Sequence, residues 1–283
     1  MSGDTGVWTY AITEDRHLSR RGGEVDLSRL AGVGEAKVRA TTRSGLTVLV
    51  SDVSLAEYGE AALRRNLENL DWLDEVARQH HHVIDAAARI FPLLPTRLAT
   101  VYSDDTALWA ALASRRDQLR DALRRVGGRV EWGVKAYAAP EPGATTEPDN
   151  AERTGATGDP RDAGPAAEAG PGSGAGRAYL KRRRAQLATV RESKAAAVDA
   201  AQAVHADLTA KAAASRLHPP QSAQLSGVRQ PMLLNAAYLL ESADGASFTA
   251  AVAGQATAHP ELRVELTGPW PPYSFAGDDD DGR

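Results

Sequence analysis

The sequence predicts an α+β fold: two domains with antiparallel sheets covered by helices, the second of them ferredoxin-like. Three observations carry this expectation. Val38, Ala40 and Thr42 alternate with Lys37, Arg39 and Thr41 ahead of a second apolar run, the pattern of a half-buried hairpin. Between residues 60 and 90 apolar side chains recur every three or four positions, which is a helical stripe. After Gly128 the order strand, helix, strand, helix, strand is compatible with a ferredoxin-like unit.

Taken in order, residues 7–12 read as the first strand. Residues 37–42 and 46–53 form the hairpin, joined by Arg43-Ser44-Gly45. The helix of 60–90 presents Leu63, Leu67, Leu70, Leu73, Ala77, Val83-Ile84 and Ala87. Pro92 and Pro95 stop it, because proline has no N–H to donate and its ring clashes with the preceding turn. Residues 98–102 form a short strand. Asp104-Asp105 cap a helix that reaches Val126 with Leu108, Leu112, Leu119 and Leu123 inward. Gly127-Gly128 end it where a positive φ costs glycine little. Residues 129–138 are a strand, with Val130, Trp132, Val134 and Ala136 on one face and Glu131 and Lys135 on the other. Residues 179–217 are alanine-rich and helix-favouring up to Pro219-Pro220. A strongly apolar strand at 232–241, a short helix at 247–258 and a strand at 262–266 complete the pattern. The architecture expected is two-layered, with helices on one face of each sheet.

Residues 1–92 are expected to form the N-terminal domain, and 93–276 the C-terminal one, followed by an acidic tail at 277–283. Residues 139–176 interrupt the second domain. None of the chain's 67 large apolar or aromatic residues falls there, while eight Gly and six Pro do, so this stretch reads as a disordered surface insertion. The net charge of −4 comes from this insertion and the tail, which leave the remaining chain mildly basic. That is far from the strong basic bias of a dedicated nucleic-acid binder. The absence of cysteine excludes disulfides, thiolate metal sites and cysteine nucleophiles. No apolar run approaches the ~18 residues of a membrane span, and no signal peptide is visible, so the expectation is a cytoplasmic protein that engages no membrane.

Chemistry-bearing motifs are scarce. Gly32-Val33-Gly34 lacks a third glycine and precedes a strand, so it reads as a turn rather than a phosphate loop. His80-His81-His82 point about 100° apart on a helix, which suits an amphipathic surface and not a metal site. No nucleophile elbow is present, and carboxylate pairs read as helix surface or caps. Neither a catalytic residue nor a cofactor or metal site is expected. Arg177 and Lys181-Arg182-Arg183-Arg184 form a basic patch that reads as a solvated face or as the counterpart of the acidic insertion. The candidate partner-binding residues are Trp270, Pro271, Pro272, Tyr273 and Phe275, an aromatic segment stiffened by two prolines. The bland alternative is that this segment folds back over the chain's own sheet.

Seven stretches, in order, resemble the gas vesicle GvpL/GvpF family. They are Val7-Trp8-Thr9-Tyr10-Ala11-Ile12, Leu73-Asp74-Glu75-Val76-Ala77-Arg78-Gln79-His80 and Leu94-Pro95-Thr96-Arg97-Leu98-Ala99-Thr100-Val101. Next come Glu131-Trp132-Gly133-Val134-Lys135-Ala136-Tyr137 and Gly176-Arg177-Ala178-Tyr179-Leu180-Lys181-Arg182-Arg183-Arg184. Leu234-Asn235-Ala236-Ala237-Tyr238-Leu239-Leu240 and Thr267-Gly268-Pro269-Trp270-Pro271-Pro272-Tyr273-Ser274-Phe275 complete them. One departure is Leu98-Ala99, where the family usually has Phe-Gly, and another is the insertion. The resemblance implies two α+β domains, the second ferredoxin-like, in an accessory protein of the gas vesicle. Its implied work is assembly through contact with the small hydrophobic major shell protein and other accessory proteins, without enzymatic activity or nucleic acid. Two alternatives stay open on the residues alone. A hydrolytic or small-molecule-binding enzyme requires a pocket of convergent polar groups, and a weak nucleic-acid binder requires salt-sensitive retention.

Overall fold

Strand β1 (Thr5–Glu14) lies at the centre of the first sheet. In the computed structural model, which describes residues 5–19, 27, 30–140, 173–222, 227–228 and 230–277, the order is β2-β3-β1-β4. Here β2 is Val38–Arg43, β3 is Leu46–Ser54 and β4 is Leu94–Pro95, while β5 (Val101–Tyr102) also pairs with β1. The hairpin is as expected: Ser44 and Gly45 turn at φ 54° and 79°, and Arg43 faces Leu46. Such consecutive left-handed residues match the twist of the flanking strands. A bulge in β1 between Thr9 and Ala11 puts Tyr10 and Ala11 in the same core, while Val7 and Ile12 serve the opposite one.

After α1 (Asp15–Ser19) and β3, the single helix expected over 60–90 is instead α3 (Glu60–Asn66) and α4 (Leu70–Ala88), preceded by the short α2 (Leu55–Tyr58). Asn69 causes the break. Its side chain accepts from the backbone N–H groups of Asp71 and Trp72, which starts a new helix. Leu67 and Leu70 flank this break and are 40% and 77% exposed, so they leave the inward stripe. The face actually buried is Val76, His80, Val83, Ile84 and Ala87. Pro95 does not merely stop a helix; it sits in β4 opposite Ala11. Of the strand expected over 98–102 only β5 forms, because Ala99 turns the chain at φ 62°.

The helix expected up to Val126 is also two, α5 (Asp105–Ala113) and α6 (Arg116–Val126), broken at Ser114 and Arg115. Asp104 caps α5 by accepting from Ala107 N–H at 2.8 Å. Leu108 and Trp109 of α5 join Leu119, Ala122, Leu123 and Val126 of α6 in one core.

The second sheet has the order β7-β8-β6-β9, antiparallel throughout. Its strands are β6 (Arg129–Ala138), β7 (Ala214–Leu217), β8 (Met232–Glu241) and β9 (Leu262–Trp270). Helices α7 (Ser173–Thr209) and α8 (Gly245–Ala258) pack on its outer face over Val134, Ala136, Leu234, Ala236, Tyr238 and Leu240. The helix expected over 179–217 thus ends at Thr209, and its last four residues form an edge strand on β8. Ala213 N–H already donates to Leu239 O at 2.9 Å, so pairing with β8 overrides the helical preference of alanine. The expected insertion begins with an ordered residue, Ala139, bonded to Glu261 O, and its last four residues open α7; residues 141–172 and the tail after Gly277 lie outside the described residues.

Both sheets are covered on both faces, which corrects the two-layer expectation. Helix α4 packs on the outer face of the first sheet, α5 and α6 fill the space between the sheets, and α7 and α8 close the far side. The inner core joins Val7, Ile12, Leu46, Val48 and Val50 of the first sheet to Ala237 and Leu239 of β8.

His80 ties α4 to the first sheet. Trp8 Nε1–H donates to His80 Nδ1 at 3.0 Å, so Nδ1 is the acceptor and Nε2 carries the proton it gives to Thr96 O at 3.2 Å. Burial holds its pKa down at about 4. The unfolded chain takes up a proton near pH 6.5 that the folded chain refuses until about 4. Stability is therefore present in full above pH 6.5 and falls as pH drops toward 4, by about 3 kcal/mol for this residue. Urea melts of the parent and of His80→Leu at pH 7 and 4.5 check this: the variant starts lower but loses less on acidification.

Ala99 supplies a second expectation. A left-handed φ costs alanine roughly 1 kcal/mol that glycine avoids, and Ala99 stands at φ 62°. Ala99→Gly should raise the urea midpoint by a stabilisation of about 1 kcal/mol without changing the m-value.

Candidate functional site

The aromatic segment leaves β9 at the rim of the second sheet. Gly268 stands at φ 125°, and a Cβ there would meet Glu131 O at 2.9 Å, so only glycine lets the chain cross β6 this closely. Trp270 still pairs with Glu131, beyond a bulge that shifts the β6–β9 register between Glu131 and Gly133. Pro271 and Pro272 then bury, a 3-10 turn covers Tyr273–Phe275, and Phe275 drops into the inner core. The five expected residues therefore separate. Trp270 (44% exposed) and Tyr273 (37%) remain at the surface, whereas Pro271, Pro272 and Phe275 are interior.

Helix α4 receives the two surface aromatics. The His81 ring meets Trp270 edge-on, with centroids 5.6 Å apart, and stacks on Tyr273 at 6.0 Å. The Tyr273 hydroxyl lies 3.1 Å from His81 Nδ1. Burial raises the Tyr273 pKa, with the charges of Asp85 and Glu131 adding to it. Of the three consecutive histidines, one is thus buried against β1, one holds the aromatic segment and His82 is exposed. Among the described residues, no group of three or more His, Cys, Asp or Glu side chains could hold a metal ion.

Ser274 is the polar anchor of the segment. Its N–H and Oγ–H donate to Glu131 at 2.7 and 2.6 Å, Arg216 Nη1 donates to its carbonyl at 2.8 Å, and His218 Nε2 lies 3.1 Å from Oγ. Because Oγ has one proton and spends it on Glu131, His218 must donate through Nε2–H. The order carboxylate, serine, histidine is not that of a hydrolytic triad, where histidine sits between and takes the serine proton. Here the hydroxyl is a clamp. Burial raises the Glu131 pKa, while the two Ser274 bonds and Arg216 oppose the rise. Burial, then the Arg216 charge, lowers that of His218. Sequence pattern points to none of Glu131, Arg216 and His218, and it presents His81 only as one of three consecutive histidines on an amphipathic helix. Only the alternation of β6, which puts Glu131 on the face opposite Trp132, hints at the first of these.

Beside this segment runs an open groove of about 620 Å³. Asp85, Arg89, Phe91 and Pro92 form one wall, and Arg129, Trp270, Pro271 and Pro272 the other. The Asp85–Arg89 pair at 2.7 Å and the Arg129–Glu241 pair at 2.8 Å add charge to a mixed lining, in which Ile90, Phe91 and Val130 stand beside Gly128 and Ser242. Such a surface suits a protein segment more than a small substrate.

The family model for Gas vesicle synthesis protein GvpL/GvpF matches residues 6–277. The chain belongs to the GvpL/GvpF gas vesicle family. It is 41% identical over 247 residues to Gas vesicle protein L of Streptomyces sp. (strain CB03234), covering 87% of this chain and 85% of that protein. Gas vesicle protein F of the same strain is 27% identical over 272 residues, covering 95% and 98%. The fold is that of the crystal structure of GvpF from Anabaena sp. PCC7120, with a TM-score of 0.61 at 18% identity and 97% of each chain covered. GvpF from Microcystis aeruginosa gives 0.60 at 17% identity, covering 96% of this chain and 99% of that one. Membership places this GvpL/GvpF protein in gas vesicle formation. No helix among its described residues is long and apolar enough to cross a membrane.

Removing the clamp has a calculable effect. Ser274→Ala leaves the buried Glu131 carboxylate without its hydroxyl donor, which should cost about 1–3 kcal/mol. The loss grows with pH: the folded carboxyl pKa lies above its unfolded value, so stability falls as pH rises through that window, and the variant widens the window. Denaturant melts should show a larger deficit for Ser274→Ala at pH 8 than at pH 5.

Proposed function

We propose that this chain is an L-type accessory protein of gas vesicle assembly, acting in the cytoplasm at the vesicle. It holds the small hydrophobic major shell protein before that protein polymerises, works with other accessory proteins, and needs neither cofactor nor nucleic acid nor membrane. The higher identity to Gas vesicle protein L than to Gas vesicle protein F of one strain supports the L-type assignment. We read the second sheet, with its order β7-β8-β6-β9 and two helices on one face, as the ferredoxin-like unit of a chain divided into 1–92 and 93–276, whose β4 and β5 cross back to pair with β1 of the first sheet.

The observation that carries the binding reading is the half-exposed Trp270 beside the groove. Tryptophan is the side chain that most often dominates a protein interface, and its placement on His81 presents a rigid flat face at low entropic cost. Pro271, Pro272 and Phe275 act from inside by fixing that face. A free sheet edge is the weaker candidate. Strand β7 is four residues long, and β2 carries Arg39 and Arg43, both devices that discourage strand addition.

The test is co-purification with the major shell protein. Trp270→Ala should reduce capture at least tenfold, a change of about 1.4 kcal/mol, while the thermal midpoint stays near that of the parent. Equal capture by the variant would remove the groove from consideration.

A further inference from the structure

Helix α7 is 37 residues long, about 55 Å by its rise, yet only its C-terminal part is seated on the sheet. Ala197, Ala200, Ala201, Val204 and Leu208 are buried. Residues 177–196 are exposed apart from half-buried Val190, so about 30 Å of helix stands clear of the core. The seating follows a seven-residue repeat. Leu208 and Ala201 form one row and Val204 and Ala197 the other, the two rows of a coiled-coil seam. Both rows continue outward on the exposed part, the first through Lys194, Leu187 and Leu180 and the second through Val190 and Arg183. Leu180 and Leu187 are 55% and 45% exposed on that seam.

Charge singles out the same stretch. Residues 177–196 carry seven cations and one carboxylate, Glu192. None of the ion pairs among the described residues involves Lys181, Arg182, Arg183, Arg184, Arg191 or Lys194. Arg184 and Arg191 flank the seam, and the positions four residues on are Ala188 and Ala195, so their own helix offers no counter-charge.

We propose that the exposed part of α7 is a docking arm for an acidic amphipathic helix of a partner protein, packed along the Leu180–Leu187 seam with its carboxylates against Arg183, Arg184 and Arg191. A second copy is disfavoured because two such arms would bring like charges together. The chain's own acidic stretch at 139–176 could offset charge but has no large apolar side chain to fill the seam. A nucleic acid would use the cations yet leave both leucines in water, with Tyr179 the one aromatic at hand. This inference uses different residues from the Trp270 groove, so either can fail alone.

The experiment titrates the full-length protein into a labelled synthetic 22-residue helix with leucine at the seam positions and glutamate beside them, read by fluorescence anisotropy. Arg184→Glu combined with Arg191→Glu should weaken binding at least thirtyfold, and a matching peptide with lysine for glutamate should bind that variant instead of the parent. Leu180→Ser with Leu187→Ser, which keeps every charge, should weaken binding at least tenfold. All four positions are exposed, so circular dichroism and the thermal midpoint should match the parent. Equal binding of a scrambled peptide of the same composition would overturn the proposal. So would tighter binding of a DNA duplex that is indifferent to the leucine substitutions, or self-association abolished by the arginine reversals.

Discussion

Two sheets that each have two apolar faces must be covered four times, and a single pair of helices does two of those duties at once. Helices α5 and α6 serve both Val7, Ile12, Leu46, Val48 and Val50 on one side and Ala237 and Leu239 on the other. Burying each such large side chain contributes about 1.5–3 kcal/mol, so neither sheet retains its inner core if this layer is disturbed. Phe275 joins that layer from the far end of the chain. The segment that looks from sequence like an appended binding tail is consequently part of the protein's interior, and the surface it offers is rigid because its neighbours are packed.

Among the described residues, His80 and Glu131 are buried ionisable side chains, each held by hydrogen bonds. Burial holds His80 in its neutral form, and in that form it accepts from Trp8 and donates to Thr96, which binds α4 to β1 and to the loop after β4. Glu131 keeps its place through two bonds from Ser274, which bind the C-terminal segment to β6. Their pH responses run in opposite directions. Acid removes the contribution of His80, whereas rising pH increases the cost of the buried Glu131 charge.

The same clamp explains why a serine, a histidine and a carboxylate meet without forming a catalytic arrangement. The serine proton is already committed to the carboxylate, and the histidine donates rather than accepts. What the molecule presents outward is a half-exposed Trp270 beside a groove and a basic helix carrying Leu180 and Leu187, the two surfaces proposed above for partner binding. Both fit a member of a family of gas vesicle synthesis proteins, whose work is assembly.

Local pattern alone determined a good part of this protein. The alternation of residues 37–53 produced the β2–β3 hairpin, the apolar run at 232–241 produced β8, and Gly127-Gly128 ended α6 with Gly128 at φ 76°. These features depend on neighbours in sequence, so they are legible there. Seven short stretches likewise sufficed to point to the family. Tertiary structure decided the rest. Asn69 split one helical stripe by capping its own backbone, and the open edge of β8 drew residues 214–217 out of a helix that alanine favours. Whether Phe275 or Trp270 faces solvent, and whether Glu131 faces water or Ser274, depends on what covers the inner faces of the sheets. The covering helices are far from those residues in sequence, and periodicity reports which face is apolar but not what comes to lie against it.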